Sequence, residues 1–238
     1  MKVPRVTTAN VVCTLQITRR QYSLREALET EVPKRMAFNL SLLSLRLRGL
    51  EYFPRQFSAG ILRLHDPCIT MLLFSSGNSV CTGARHMIVS KYAIQVLCAM
   101  LASVGMHVDM MNLKIQNIVS NSQTDFLVDQ HALWRDNQML CASYQPDLFP
   151  GLVVRWRRST TAPHSKVVIL VFRTGRCVIT GARSRQDARQ AWSEFYTEKL
   201  VNYRDVGTSS SAEYRTYVTQ RSMTHDVPVA ALQLARGL

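Results

Sequence analysis

Acidic residues are scarce in this 238-residue chain: 16 Asp and Glu stand against 29 Lys and Arg, a net charge of +13. So few carboxylates leave little room for a paired general acid and base, and the excess of cations points to a polyanionic partner. Lysine is scarce too, since 23 of the 29 cations are Arg. Arginine offers a planar fork for phosphate and a weakly hydrated charge suited to a narrow groove. The six cysteines (13, 68, 81, 98, 141 and 177) never form a CxxC pair, so neither a zinc site nor a disulfide framework follows, and a reduced compartment is expected. HExxH, GxSxG, a Walker loop and GxGxxG are all missing. No metal, cofactor or enzymatic activity is expected. Long apolar runs are lacking as well: Tyr92 to Val108 is uncharged but interrupted by Gln95, Ser103, Gly105 and His107, and reads as a soluble helix rather than a membrane span. The first ten residues do not resemble a secretory signal, so an intracellular protein without membrane attachment is expected.

With 47% apolar and 19% charged residues the chain is globular, and it carries an internal duplication. LFSSGNSVCTGAR (73 to 85) matches VFRTGRCVITGAR (171 to 183) in register. YFPRQFSAGILRL (52 to 64) aligns with YQPDLFPGLVVRW (144 to 156), and NVVCTLQ (10 to 16) with NIVSNSQ (117 to 123). Three blocks recur in one order, which divides the chain into a short arm (1 to 8), a first repeat (9 to 106, with an insert at about 18 to 37), a second repeat (107 to 204) and a low-complexity tail (205 to 238). A polar connection is also expected at 157 to 166.

Each repeat reads as strand, helix, several strands and a final helix. Leu40, Leu43 and Leu47 share one helical face behind Asn39 as a cap. Strands are predicted near 59 to 64, 69 to 74 and 79 to 82, and long helices over 86 to 104 and 184 to 202. SSGN (75 to 78) and RTGR (173 to 176) are hairpin turns with a glycine where φ is positive. Strand alternation sets Leu72 and Phe74 on one face and Met71 and Leu73 on the other, and both faces are apolar. The second repeat does the same with Leu170 and Phe172 against Ile169 and Val171. Two helices cover one face only. The other face is either stacked under a second sheet or offered as a binding surface.

At these residues, from about Thr8 to Tyr203, the chain resembles the TATA-binding protein family; FSSGNSVCTGAR, KIQNIVS and SYQPDLFPGLVVR carry the resemblance. It implies an α+β fold, a saddle of two pseudo-symmetric repeats forming one curved antiparallel sheet with helices on the convex face. It also implies minor-groove DNA binding, with Phe57, Phe74, Phe149 and Phe172 as wedges between base steps. Unstacking a step costs a few kcal/mol, a figure that comes from this family and its like rather than from this chain. Asn10, Val12, Asn117, Val119, Leu72, Val80, Thr82, Leu170, Val178 and Thr180 match base and groove contacts, where A·T pairs lack the amino group that would collide with the apolar floor. Arg63, Arg85, Arg155, Arg176, Arg183, Ser76 and Thr174 match phosphate contacts.

The same resemblance implies a general transcription factor that kinks A·T-rich promoter DNA and nucleates the preinitiation complex. Its partners would be double-stranded promoter DNA, IIB-like and IIA-like factors and the RNA polymerase machinery, in the nucleus or at a viral transcription site. Gln145, Asp147 and Leu148 match the position that meets the IIB-like partner. Some residues depart from the pattern: Asn78 replaces the usual turn Lys, Ser58 follows the first wedge where Pro150 follows the second-repeat one, and residues 86 to 104 keep only Lys91 of a normally basic helix. That apolar helix admits self-association, or a related factor with relaxed DNA specificity acting mainly as a protein adaptor.

Overall fold

The structure is a computed structural model that describes residues 2–20, 37–157 and 166–205. Most of the insert, the connection at 157 to 166 apart from its end residues, and the tail beyond Asp205 lie outside the described residues. The chain divides into two compact units, Ala9–Asn117 and Met1–Thr8 with Ile118–Leu238, here the first and second unit.

In the first unit the strands run in the order β2-β3-β4-β5-β1-β6. They are β1 (Thr7–Arg19), β2 (Leu50–Glu51), β3 (Ala59–Leu64), β4 (Ile69–Phe74), β5 (Asn78–Ala84) and the beginning of β6 (Val108–Gln123). Short hairpins make β3, β4 and β5 antiparallel neighbours, with Leu72 opposite both Ile61 and Val80. Gly77, at φ +79°, closes the β4–β5 turn. Helix α1 (Leu40–Arg46) starts where the Asn39 side chain accepts the Leu42 amide at 3.0 Å, satisfying one of the amides a helix start leaves without a partner. Its Leu40 and Leu43, with Leu47 beyond its end, are buried. Helix α2 (Met87–Ser103) packs on β5 and buries Ser90, Ala93, Ile94, Leu97 and Leu101.

The second unit runs β6-β10-β9-β8-β7, with β7 (Cys141–Ser143), β8 (Gly151–Arg157), β9 (Lys166–Phe172) and β10 (Arg176–Ala182). Helix α3 (Gln130–Asp136) is capped by Asp129, which accepts the Ala132 amide at 2.9 Å. Helix α4 (Arg185–Glu198) is capped by Ser184, which accepts from Asp187 at 3.0 Å. A 3-10 turn, Leu200–Asn202, follows it. The core lies between α4 and one sheet face: Trp192, Phe195 and Tyr196 meet Leu152, Ile169, Val171, Cys177 and Ile179. Burying each such large apolar side chain contributes about 1.5–3 kcal/mol.

The structure adds detail at four boundaries of the sequence reading. The short arm at 1 to 8 is packed along the second unit where it is described: Val3 and Val6 pack on that unit's core, the Trp192 indole donates to the Pro4 carbonyl at 3.0 Å, and Thr7 and Thr8 already belong to β1. An extended segment with apolar residues at 3 and 6 can fill a gap beside α4 that the repeat pattern does not reveal. β1 continues to Arg19, beside the expected start of the insert, with Thr18 donating to the Asp109 carbonyl at 3.2 Å. β6 continues unbroken from Val108 to Gln123, and the division into compact units falls within it, between Asn117 and Ile118. Asp205 is anchored rather than part of the tail, its amide bonded to the Leu127 carbonyl at 2.8 Å and its carboxylate to Arg173 at 3.2 Å.

Among the described residues no helix is long and apolar enough to cross a membrane.

Candidate nucleic-acid interface

Period-two alternation decides what each unit shows on the face away from its helices. In the first unit Cys13, Leu15, Met71, Leu73, Ser79 and Cys81 are buried, while Val12, Thr14, Leu72, Phe74, Val80 and Thr82 between them are half-buried. Leu72 and Val80 stand directly opposite each other, as do Thr70 and Thr82. Phe57 is 42% exposed at the end of the turn before β3, and its ring meets that of Phe74 edge-on, 6.5 Å between centroids at 64°.

Asn10 is half-buried on the same face. Its side chain donates to the Thr82 hydroxyl at 3.0 Å and accepts the Gly83 amide at 2.8 Å. With the amide oxygen held by the Gly83 backbone and one N–H by Thr82, the group keeps one further N–H as a donor. The face also carries polar residues outside the expected contact set. Asn112 donates to Gln16 at 2.8 Å and Gln116 to Thr14 at 2.7 Å, beside a recess of about 430 Å³ lined in part by Asn78, Val80, Asn112 and Lys114. Simple continuation of the Asn10–Val12 alternation would have found Thr14 and Gln16.

In the second unit the corresponding face is drier. Val119, Leu170 and Val178 form an apolar cluster separate from the helix-side core, walled by Phe149, Val153, Val168 and Phe172. Leu170 and Val178, expected on the groove floor, are 0% and 1% exposed, packed against the partly buried Phe149, Val153, Val168 and Phe172. Thr180 is buried as well, and so is Asn117, the last residue of the first unit. The Phe149 and Phe172 rings lie 5.8 Å apart at 74°. Gly151 permits this, because a Cβ there would lie 2.5 Å from Phe149 and 3.2 Å from Phe172. The first unit has Ala59 in that place, opposite Phe74, and its rings stand further apart.

Arg85, Arg155 and Arg183 are exposed and Arg176 is half-buried at the start of β10. Arg63 forms an exposed ion pair with Glu51. The Ser76 and Thr174 hydroxyls accept the amides of Asn78 and Arg176 at 3.5 and 3.4 Å, inside their turns. Gln145, Asp147 and Leu148 are all exposed, Leu148 at 83%; the Gln145 carbonyl closes the turn that presents them, accepting from Leu148 at 3.0 Å and Phe149 at 2.9 Å. Among the described residues no group of His, Cys, Asp or Glu is placed to hold a metal.

A family model described as transcription factor TFIID (or TATA-binding protein, TBP) matches residues 29–104 and 112–200. The chain is 35% identical over 165 residues to a TATA-box-binding protein of Tetrahymena thermophila, covering 69% of this chain and 64% of that one. It is 35% identical over 158 residues to TATA-box-binding protein 2 of Arabidopsis thaliana, covering 66% of this chain and 76% of that one. A TATA box-binding protein-like 2 of Mus musculus is 34% identical over 158 residues, and there the match spans 66% of this chain but only 43% of the relative. The solved TBP of Methanococcus jannaschii superposes with a TM-score of 0.63 at 28% identity, covering 82% of this chain and 97% of that one. The chain belongs to the TATA-binding protein family, whose members are non-enzymatic DNA-binding transcription factors of α+β fold.

Proposed function

We propose that this chain is a TATA-box-binding general transcription factor that grips A·T-rich promoter DNA through the minor groove, kinks it, and nucleates the transcription preinitiation complex in the nucleus. The observation that carries the reading is the paired phenylalanine edge present in both units, Phe57 with Phe74 and Phe149 with Phe172, beside an apolar sheet face. Wedges of this kind offset the cost of unstacking by the extra surface that a kinked duplex wraps. Arg63, Arg85, Arg155, Arg176 and Arg183 hold phosphates in this reading, with Ser76 and Thr174 beside them. Gln145, Asp147 and Leu148 dock a IIB-like factor, and IIA-like factors and the polymerase machinery join the DNA-bound form.

A second reading rests on α2. Ile88 and Tyr92 are 77% and 55% exposed on a helix whose one basic residue is Lys91. Self-association or a protein adaptor role through residues 86 to 104 fits that surface.

The two readings separate in one experiment. Phe149→Ala with Phe172→Ala, assayed by energy transfer across an end-labelled A·T-rich duplex, abolishes the second-unit kink if the wedge reading holds. Unchanged bending refutes it, and no measurable DNA binding by the parent chain favours the adaptor.

A further inference from the structure

We infer that Gln130 is the positioning residue for the second unit's wedges, an inference that rests on the wedge reading above. Its side chain is buried, and its amide nitrogen donates both to the Pro150 carbonyl at 2.9 Å and to the Val171 carbonyl at 2.7 Å. Pro150 directly follows Phe149, and Val171 directly precedes Phe172. One carboxamide thereby spends its two N–H groups on the carbonyls of the two residues that adjoin the rings.

The clamp is itself anchored. Gln130 opens α3 behind the Asp129 cap, two residues after Val128, whose amide donates to the Arg173 carbonyl at 2.9 Å. The corresponding position at the start of α1 is Leu40, which has no donor and instead lies beside Gly60, 3.6 Å from where a Cβ would sit. The first pair of rings is the more widely spaced of the two, and Phe57 is exposed. The second pair is therefore held in place before DNA arrives, and the first is left to order on contact. Fixing the groups beforehand removes part of the ordering cost of binding, so the second-unit kink forms first and lasts longer.

The test uses the full chain and an A·T-rich duplex with an energy-transfer pair reporting on each half of the bend. The half that Phe149→Ala with Phe172→Ala abolishes is assigned to the second unit. Gln130→Met keeps bulk and removes the donors, and Gln130→Leu places there the residue that the first unit has. Each is expected to speed loss of the second-unit kink about tenfold, as the loss of two modest hydrogen bonds allows. The first-unit kink should be unchanged, and the substitution should add nothing when both rings are already Ala. If the alanine pair abolishes the kink while Gln130→Met and Gln130→Leu leave its lifetime intact, the positioning role is refuted and the wedges stand. Equal weakening of both halves means a merely structural residue and also overturns the inference. If the alanine pair leaves the kink untouched, the wedge reading fails first and takes Gln130 with it.

Discussion

Asn10 and Thr82 are joined across neighbouring strands by a 3.0 Å hydrogen bond, with the Asn10 amide oxygen already taken by the Gly83 amide at 2.8 Å. The two residues therefore act as one unit that offers donors. In the minor groove A·T pairs show only acceptors, whereas G·C adds a donor, so such a unit is matched to A·T by polarity as well as by shape.

Asn10→Asp exchanges the remaining N–H donor for an acceptor, and about 10- to 100-fold weaker binding to A·T-rich DNA is expected, the worth of one good base contact. Thr82→Val should weaken binding less. Asn10→Ala and Thr82→Val together should cost less than the sum of the two, because each already breaks the shared bond. Additive losses in a titration series would contradict the coupling.

Much of this was legible because the determinants are local. Asn39 three residues before Leu42 caps α1, Gly77 and Gly175 sit at φ +79° and +78° in the hairpin turns, and Met71, Leu72, Leu73 and Phe74 alternate faces as period two requires. What was not legible depends on distant partners. Nothing near Gln130 says that its amide reaches residues 150 and 171. Nothing near Pro4 points to Trp192. The two-residue β2 exists only because Leu50 and Glu51 pair with Leu62 and Ile61. Leu170 and Leu72 occupy equivalent places in the duplication, yet one is buried and the other half-buried.

Gly175 and Gly105 share a positive φ but not a neighbourhood. A Cβ at Gly175 would lie 2.0 Å from Thr124 Oγ1 and 2.5 Å from the Phe126 carbonyl, while one at Gly105 meets nothing within 4 Å. Gly105→Ala should cost about 1–2 kcal/mol, the left-handed penalty alone. Gly175→Ala should cost more than about 3 kcal/mol, because backbone must shift as well. Denaturant unfolding compares the two directly, and similar costs would refute the steric argument.

Burial pushes the Cys81 thiol up to about 11, with neighbouring Cys13 adding to the rise, and burial also raises Cys13 and Cys177. An unfolded thiol gives up its proton near 9.0, while the folded protein keeps it. Stability is therefore whole below about pH 9 and falls as the pH climbs toward 11, since the native state there binds more protons. Unfolding free energies at about pH 8 and 10.5 should show the decline, with a smaller one in Cys81→Ala. Equal declines in the two proteins would exclude Cys81 as a source. At neutral pH a thiol reagent should modify exposed Cys68 well before buried Cys13, Cys81 or Cys177.

The most direct measurement is affinity for three duplexes that differ only in the central pairs: A·T, inosine·cytosine and G·C. Inosine·cytosine keeps the major-groove pattern of G·C but drops the amino group from the minor groove. If the sheet faces read DNA from the minor groove, inosine·cytosine binds within about threefold of A·T, while G·C loses about 100-fold or more, at 1–3 kcal/mol per unfavourable pair. Inosine·cytosine binding as weakly as G·C would place recognition elsewhere and contradict the proposal.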